Sequence, residues 1–498
     1  MSSAATPPPG ALVMVNIEGR ALDAAQADFL SRHRIRAVCL FRANLGTEAE
    51  VRRLTAQLRE VLGPRALIGV DQEGGSVVRT TFLPHAPAAM ALGATGDADL
   101  ARRVGSAVGR GLRSVGINWN FAPVLDVNNN PDNPVIAERS FSADPGEVAR
   151  LAGAWMQGVI DEAVACCVKH FPGHGDTSVD SHHDLPVVDK PWAALQTLEL
   201  QPFHALRHHA PAIMTAHILY PQLDADYPAT LSQRILGQLL REDWGFDGAV
   251  ITDSLVMKAI ADHFGHERAA ALALQAGADM VLALGSPDEQ CAALDGIASA
   301  MARGALSPGT MARACARLDA LAERFPAGEQ PYADRQREVD RHTMSDAWAR
   351  ALTCIGAAVP PPLDGPVRVV AQRLMPGDGV SEAGLAGERV PELFDHFKDV
   401  EPVLVDDLAS LRWESLPADG KACVLVSNGR ARYGEAARAW RPDLHIALWN
   451  PFHVCDVAAP ALVTWGYAAA ALDAARAWLH GELSAAGRAP VPLAPRAP

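Results

Sequence analysis

The chain has 498 residues, which exceeds one ordinary hydrophobic core and predicts at least two domains. Hydrophobic residues make up 49% and charged residues 20%, the balance of a water-soluble globular protein. The formal net charge of −14 argues against nucleic acid and anionic membranes as partners, because both carry negative charge themselves.

The N-terminus and the cysteines indicate a cytoplasmic protein. The segment 1–15, MSSAATPPPGALVMV, lacks the basic region and the long apolar core of a signal peptide. No run of about eighteen apolar residues is present that would span a membrane. The cysteines are scattered and follow neither disulfide nor zinc-site spacing. The sequence leaves the oligomeric state open.

From residue 11 to about residue 305, short apolar runs alternate with helix-length amphipathic segments. The strand-like runs are 11–16, 37–41, 66–70, 117–122, 164–168, 212–216, 249–252 and 279–283. The helical patterns are 47–62, 98–114, 146–162, 232–241 and 266–276. This alternation is typical of an α/β fold with a parallel sheet. Eight strands fit a closed (β/α)₈ barrel of the TIM type, and a doubly wound open sheet is the alternative.

Polar residues directly after the strand-like runs favour the barrel. Asp71 follows the third run, Lys169 and His170 follow the fifth, His217 follows the sixth, and Asp253 follows the seventh. Barrel active sites lie at the C-terminal ends of the strands, where these side chains would meet. We therefore predict a barrel with its active site at that face.

A second, smaller domain is predicted at the C-terminus. Buried-strand patterns at 367–371, 402–405, 422–426 and 444–448, with helical patterns at 433–440 and 467–480, predict an α/β sandwich. A polar stretch without apolar periodicity precedes them. The predicted division is a catalytic barrel at 1–325, a linker at 326–350 and the C-terminal domain at 351–498. The Pro-rich tail after Gly487 is expected to be ordered only where it packs.

The segment 169–186 concentrates titratable side chains. It reads KHFPGHGDTSVDSHHDLP, and its glycines and prolines predict a loop that leaves a buried strand. A carboxylate at Asp180 near the imidazole of His182 would orient the ring and raise its pKa, as a general acid/base requires. A histidine-rich surface loop is one alternative. A metal site that uses His182 and His183 is another, although no HExxH or CxxC spacing accompanies them.

Two further segments carry candidate functional groups. In DQEGGSVVR, Asp71 can accept hydrogen bonds from neighbouring hydroxyl groups and Arg79 can bind oxygens in a fixed fork; a structural turn with an ion pair is the alternative. In TDSLVM, Asp253 comes straight off a buried strand, where an unused carboxylate is costly. The alternative for Asp253 is a cap for a helix at 255–262.

These motifs resemble family 3 of the glycoside hydrolases. The 169–186 loop is similar to the signature loop of the bacterial β-N-acetylglucosaminidase subgroup, DQEGGSVVR to the donor-sugar motif, and TDSLVM to the nucleophile motif. Glu138-Arg139-Ser140-Phe141 resembles the family's ERSF/ERSY segment, and MTAH, ending at His217, its histidine motif after the sixth strand. The resemblance is strong from residue 11 to about 305 and weak beyond.

The resemblance implies a retaining, exo-acting β-N-acetylglucosaminidase with no metal and no organic cofactor. It implies that Asp253 is the nucleophile and that His182, assisted by Asp180, is the acid/base. The sugar-binding residues it implies are Asp71, Arg79, Arg139, Lys169, His170 and His217. Its substrate would be a carbohydrate of the muropeptide or chitooligosaccharide type, as in the recycling of cell-wall peptidoglycan.

Three other functions remain open. Family 3 β-glucosidases and β-xylosidases share the nucleophile motif but take their acid/base from the second domain and lack the Asp180-Ser181-His182 loop. An N-acetylglucosaminide phosphorylase is the second, because an imidazole is a neutral base and does not repel a phosphate acceptor. A catalytically silent sugar-binding protein is the third, and the intact Asp253 and His182 argue against it.

Overall fold

The computed structural model describes residues 6–182, 184–375, 381 and 384–494, so His183 lies outside the described residues. Eight parallel strands close into a barrel in chain order, and the first strand pairs with the eighth through Val13 and Val281. These strands are β1 Val13–Asn16, β2 Ala37–Leu40, β3 Leu67–Val70, β4 Trp119–Asn120, β5 Ala165–Phe171, β6 Ala212–Thr215, β7 Ala249–Ser254 and β8 Met280–Leu282. The predicted α/β class and closed barrel are confirmed, and the open-sheet alternative is excluded.

The barrel strands read as continuous apolar runs because helices cover their outer faces. The helices associated with the barrel are α1 Ala24–Arg32, α2 Glu48–Leu62, α3 Ala89–Thr95, α4 Ala98–Ser114, α5 Pro145–Asp161, α6 Trp192–Thr197, α7 Gln201–Leu206, α8 Lys258–Phe264, α9 His266–Ala276, α10 Pro287–Ala302 and α11 Pro308–Arg324. A π-helix occupies Arg234–Asp243 and overlaps the predicted helical pattern 232–241. Helix α2 begins as its sequence predicts, with Thr47 and Glu50 forming a capping box.

The segment predicted as a linker contains a helix. Helix α12, Asp334–Ala351, joins the barrel to the second domain. Its polar N-terminal half is held by the buried carboxylate of Asp340, which accepts hydrogen bonds from Arg110 at 2.9 and 2.6 Å and from the Tyr332 hydroxyl at 2.7 Å. Its C-terminal half buries apolar side chains, including Trp348. The position of the domain boundary stays a prediction.

The second domain is a mixed sheet of six strands in the order β11-β10-β12-β13-β14-β9, parallel except for the edge strand β9. Its elements are β9 Thr353–Ile355, β10 Pro366–Gln372, β11 Asp399–Val405, β12 Ala422–Ser427, β13 Leu444–Ala447, β14 Ala461–Val463 and α13 Ala469–Leu479, with 3₁₀ turns at Gly387–Phe394, Gly434–Ala439 and Pro451–Cys455. The predicted C-terminal α/β domain is confirmed, with two short strands, β9 and β14, that its sequence patterns did not indicate.

The C-terminal tail returns to the barrel. The Pro490 carbonyl accepts hydrogen bonds from the Ala143 backbone at 3.1 Å and from the Ser142 hydroxyl at 2.8 Å, and the Arg488 backbone donates to Ala94 at 2.9 Å. Val491 is buried at the same place. The tail is thus packed where it is described, as its composition predicted. No helix in the described part of the chain is long and apolar enough to cross a membrane.

Candidate active site

A cavity of about 370 Å³ lies at the C-terminal ends of the barrel strands. Charged, polar and apolar side chains share its lining. The titratable ones are Asp71, Glu73, Arg79, Arg139, Lys169, His170, His174, His182, Asp253 and Lys258. Among the described residues that line it, all belong to the barrel domain. The structure therefore brings together most of the residues singled out in the sequence.

One wall of the cavity is a buried network of opposite charges. The Lys169 ammonium lies 2.6 Å from Asp71 Oδ1 and 2.7 Å from Glu73 Oε1. Arg139 holds both oxygens of Glu73, each at 2.9 Å. Burial alone would lower the pKa of Lys169, but the charges of Asp71 and Glu73 outweigh it and raise that pKa. Lys169 is therefore charged, and its ion pairs hold it in place to bind hydroxyl groups by charge-assisted hydrogen bonds.

Asp126 fixes the next group along the wall, His170. Its Oδ2 lies 2.7 Å from His170 Nδ1, and its Oδ1 accepts from the backbone N–H of His174 at 2.6 Å. Burial would raise the pKa of Asp126, but the facing His170 holds it below its usual value. Because an ionised carboxylate only accepts, His170 carries its proton on Nδ1 and presents Nε2 as its other polar atom.

Asp180 and His182 form the pair that the sequence predicts. His182 Nδ1 lies 2.7 Å from Asp180 Oδ1, which also accepts from the His182 backbone N–H at 2.9 Å. Burial lowers the pKa of His182, but the hydrogen bond and the charge of Asp180 outweigh it, so the pKa is raised. Burial likewise opposes ionisation of Asp180, yet the His182 hydrogen bonds lower its pKa to about 2. With Nδ1 occupied, the imidazole can exchange a proton through Nε2.

Residues 172–191 form the loop that carries this pair, and we call it the dyad loop. It is anchored before Asp180 and again between Asp180 and His182. Before the pair, Gly175 packs so closely on Val127 that a Cβ would lie 1.7 Å from its carbonyl oxygen. After Asp180, the Ser181 hydroxyl lies 3.2 Å from His174 Nε2, and the Ser181 carbonyl accepts from the Ala259 backbone at 3.3 Å. Burial lowers the pKa of His174 to about 4, so this imidazole is neutral near pH 7 and acts as a fixed hydrogen-bonding strut.

Asp253 is the last residue but one of β7, and one of its carboxylate oxygens accepts a hydrogen bond from the Ser254 backbone N–H at 2.7 Å. Burial would raise the pKa of Asp253, but the charges of His217, His170 and His182 outweigh it and lower that pKa. The carboxylate is thus ionised and faces the cavity. Helix α8 begins only at Lys258, with Met257 before it, so the helix-cap alternative for Asp253 does not hold.

His217 lies apart from the other predicted sugar-binding residues. It is fully buried and is not among the described residues that line the cavity. Its Nε2 lies 2.8 Å from the Ser254 carbonyl and its Nδ1 lies 2.8 Å from the Thr230 hydroxyl. These contacts place His217 behind Asp253, where it positions the end of β7. Arg79 does line the cavity, and its backbone N–H donates to the Gln72 side chain at 2.9 Å.

Sequence reasoning left out two residues that organise the site, Glu73 and Asp126. Glu73 lies two residues after Asp71, and in extended backbone that spacing puts both side chains on the same side. This spacing was the available signal for Glu73. Asp126 offers no such signal, because nothing nearby in sequence shows that it faces His170 from the loop after β4.

The second domain supports the segment that carries Arg139, although none of its described residues lines the cavity. Glu138 Oε1 accepts from the indole N–H of Trp449 at 2.9 Å and from the Ser76 hydroxyl at 2.6 Å. Arg430 of the second domain donates to the Val135 carbonyl at 2.6 Å. The loop after β4 is therefore held between the two domains.

An ionised carboxylate and a second acid/base group in one cavity at the mouth of a (β/α)₈ barrel fit the cleavage of a glycosidic bond, and this chain is a glycoside hydrolase. The model of the "Glycosyl hydrolase family 3 N terminal domain" matches residues 10–321. The chain belongs to glycosyl hydrolase family 3.

Curated and solved relatives agree with this family. A beta-hexosaminidase from Alkalilimnicola ehrlichii is 36% identical over 284 residues, which cover 55% of this chain and 81% of the relative. Beta-hexosaminidase A from Pseudoalteromonas piscicida is 39% identical over 284 residues, but the match spans only 47% of that protein. The structure of a family 3 beta-N-acetylglucosaminidase from Paenibacillus sp. str. FPU-7 is 32% identical, with a TM-score of 0.87 over 99% of both chains. That last similarity includes the second domain.

Proposed function

We propose that this protein is a retaining, exo-acting β-N-acetylglucosaminidase that acts on a terminal β-linked N-acetylglucosamine. The observation that carries the proposal is that an ionised Asp253 and an Asp180-supported His182 line the same cavity. The beta-hexosaminidases among the relatives, and the Paenibacillus beta-N-acetylglucosaminidase that matches both domains, support this substrate class.

In the proposed reaction, Asp253 attacks the anomeric carbon and forms a glycosyl-enzyme intermediate. Glycoside hydrolysis normally uses a second carboxyl group to protonate the leaving oxygen. Here His182 Nε2 takes that role, since the Asp180 carboxylate raises the pKa of His182 and so favours the protonated ring that donates to the leaving oxygen. After the leaving group departs, the neutral imidazole accepts a proton from the water that releases the sugar.

The charged wall provides the proposed recognition of the terminal sugar. Asp71 accepts from sugar hydroxyl groups, and Lys169, Arg139 and Arg79 donate to sugar oxygens. His170 Nε2 accepts from a sugar hydroxyl group, because its proton is on Nδ1. The ion pairs hold these groups before the sugar arrives, so little ordering remains to oppose binding. A muropeptide or a chitooligosaccharide would present such a terminal sugar.

Phosphorolysis is a second candidate for the same site. In the deglycosylation step His182 is a neutral base, whereas a carboxylate in its place would repel an approaching phosphate. His182 Nδ1 keeps its proton in the hydrogen bond to Asp180, so His182 Nε2 is an unprotonated, neutral nitrogen at that stage. The two candidates differ only in the acceptor, so one set of assays decides between them.

The test compares 4-nitrophenyl β-glycosides of N-acetylglucosamine and of glucose, each with and without phosphate. We expect a higher kcat/KM for the N-acetylglucosaminide and free sugar as product in both buffers. Formation of a sugar 1-phosphate would identify a phosphorylase. Preference for the glucoside would refute the proposed substrate class, and equal turnover by the Asp253→Asn variant would refute the mechanism.

A further inference from the structure

Three side chains with metal-ligand chemistry meet in the second domain, outside the active-site cavity. Asp395 and His396 follow the 3₁₀ turn Gly387–Phe394, and His480 follows the C-terminal end of α13. One donor atom from each lies within 4.8 Å of the other two. The two imidazole rings are in contact, with centroids 4.2 Å apart. Two segments far apart in sequence thus converge on one point.

The His480 imidazole has a buried nitrogen with nothing to bind. Its side chain is only 8% exposed, and its Nε2 has no hydrogen-bond partner among the described residues. The nearest carboxylate oxygen, Asp395 Oδ1, lies 4.0 Å away, too far for a hydrogen bond. Buried polar atoms are nearly always satisfied, so an atom aimed at a carboxylate without reaching it points to a ligand that would lie between them.

We propose that this cluster binds one divalent cation of the Zn²⁺ type. Two imidazole nitrogens and a carboxylate oxygen are the donor set that Zn²⁺ takes, whereas Mg²⁺ and Ca²⁺ prefer oxygen ligands alone. Zinc bonds of about 2.0–2.2 Å place two ligand atoms of one ion at most about 4 Å apart. The cluster therefore closes on the ion by a movement of about 1 Å. The ion would replace the 2.8 Å hydrogen bond between His396 Nδ1 and Asp395 Oδ1, and both of these side chains are exposed enough to adjust.

The charges around the cluster permit a cation. Arg476 is the nearby positive group, with its Nε 3.8 Å from Asp395 Oδ2. Its guanidinium is also bonded to the Asp473 carboxylate at 3.0 Å and to the Glu392 carbonyl at 3.3 Å, which offset its charge. The exposed side of the cluster leaves room for a water as the fourth ligand.

Occupancy would cross-link the end of α13 to the segment that follows the 387–394 turn. Both pack on the apolar core of the second domain, through Leu479 of α13 and Phe394 of the turn. An ion that binds only the folded chain raises its stability by mass action. The proposed site is therefore structural, and its occupancy raises the thermal stability of the second domain without a part in glycoside cleavage.

The test is a Zn²⁺ titration of the full chain after treatment with a chelator, read by calorimetry and by the thermal midpoint. All variants carry His182→Ala, so that the dyad-loop imidazole cannot bind the ion. His396→Ala and Asp395→Asn remove one ligand each. The matched control is His342→Ala on α12, an exposed histidine 3.4 Å from the Glu338 carboxylate.

We expect one ion per chain in the His182→Ala parent and in the His342→Ala control. Both ligand variants should bind at least about tenfold more weakly, because even loss of an outer-shell partner costs about 10- to 100-fold. In the ligand variants the Zn²⁺-dependent rise in thermal midpoint should be lost. When Co²⁺ replaces Zn²⁺ as a spectroscopic probe, the visible absorption of the bound ion should be lost in these variants as well. Unchanged affinity in either ligand variant, or no binding by the parent, would overturn the proposal.

Discussion

Replacement of Asp180 by asparagine removes the carboxylate that supports His182 and keeps the shape of the side chain. The structure gives Asp180 two effects on the imidazole, a hydrogen bond at 2.7 Å and a negative charge, and both raise the pKa of His182. What remains in the variant is burial and the charge of Arg139, which lower that pKa, and the charge of Asp253, which raises it. If His182 is the general acid, the enzyme loses activity as pH rises through this pKa, and Asp180→Asn moves the alkaline limb to lower pH.

The size of the shift follows from the hydrogen bond. A hydrogen bond to a charged group contributes about 1.5–3 kcal/mol, and one pKa unit corresponds to about 1.36 kcal/mol, so the range is about 1–2 units. The His182 side chain is 37% exposed, and solvent screens part of the charge. We therefore expect the lower end, about one unit. At a pH above the His182 pKa of both the unmodified enzyme and the variant, the variant therefore contains about tenfold less protonated imidazole.

The assay is kcat/KM against pH for a substrate with a poor leaving group, since that constant reports groups of the free enzyme. Asp184→Asn is the matched control, because it removes a carboxylate from the same loop whose side chain is 72% exposed and does not bind His182. The control should keep the alkaline limb of the unmodified enzyme. An identical limb in Asp180→Asn would show that His182 is not the acid.

Three further predictions concern neighbouring groups. Asp253→Ala should abolish turnover, while its circular dichroism spectrum shows an intact fold. In the unmodified enzyme a mechanism-based fluoro-sugar should label Asp253, and a label on another residue would exclude Asp253 as the nucleophile. His182→Ala should lose about 10²- to 10⁴-fold on poor leaving groups and far less on activated aryl glycosides, and an equal loss on both would point to sugar binding alone. Glu73→Gln should destabilise the fold by about 3–5 kcal/mol in urea unfolding, because Lys169 and Arg139 lose a buried counter-ion. An exposed pair offers its control: Glu147→Gln, beside Arg150, should cost at most about 1 kcal/mol, and equal losses would contradict the argument.

The barrel was predictable because its strands are buried on both faces. A run such as 37–41 carries its own signal, and the structure places β2 at Ala37–Leu40. Strands β9 and β14 were not predictable in this way, since each has only three residues; β14 pairs with β13 and β9, and β9 pairs with β14 at the edge of the sheet. Helix α12 was missed because its first half is polar and is stabilised by Arg110 and Tyr332, which contact Asp340 from outside the helix.

The same limit applies to the candidate site. Asp253, His182 and Asp180 could be named from local motifs, because each lies in a short segment with recognisable chemistry. The spacing of Glu73 from Asp71 was a weaker signal, since the importance of Glu73 comes from Arg139 and Lys169, which lie far from it in sequence. His217 was expected at the sugar from the resemblance of its MTAH motif, and its contact with the Ser254 carbonyl could not be predicted from sequence. Roles that depend on contacts between strands require the fold.

The return of the tail to the barrel limits how the protein can open. The second domain is joined to the barrel by α12 at its start and is held again at its end, where Pro490 accepts hydrogen bonds from Ser142 and Ala143. A domain that swings as a lid needs a single hinge, and an attachment at both ends of the domain opposes such rotation. The second domain is therefore expected to keep its contacts with the loop after β4 while the sugar enters and the product leaves.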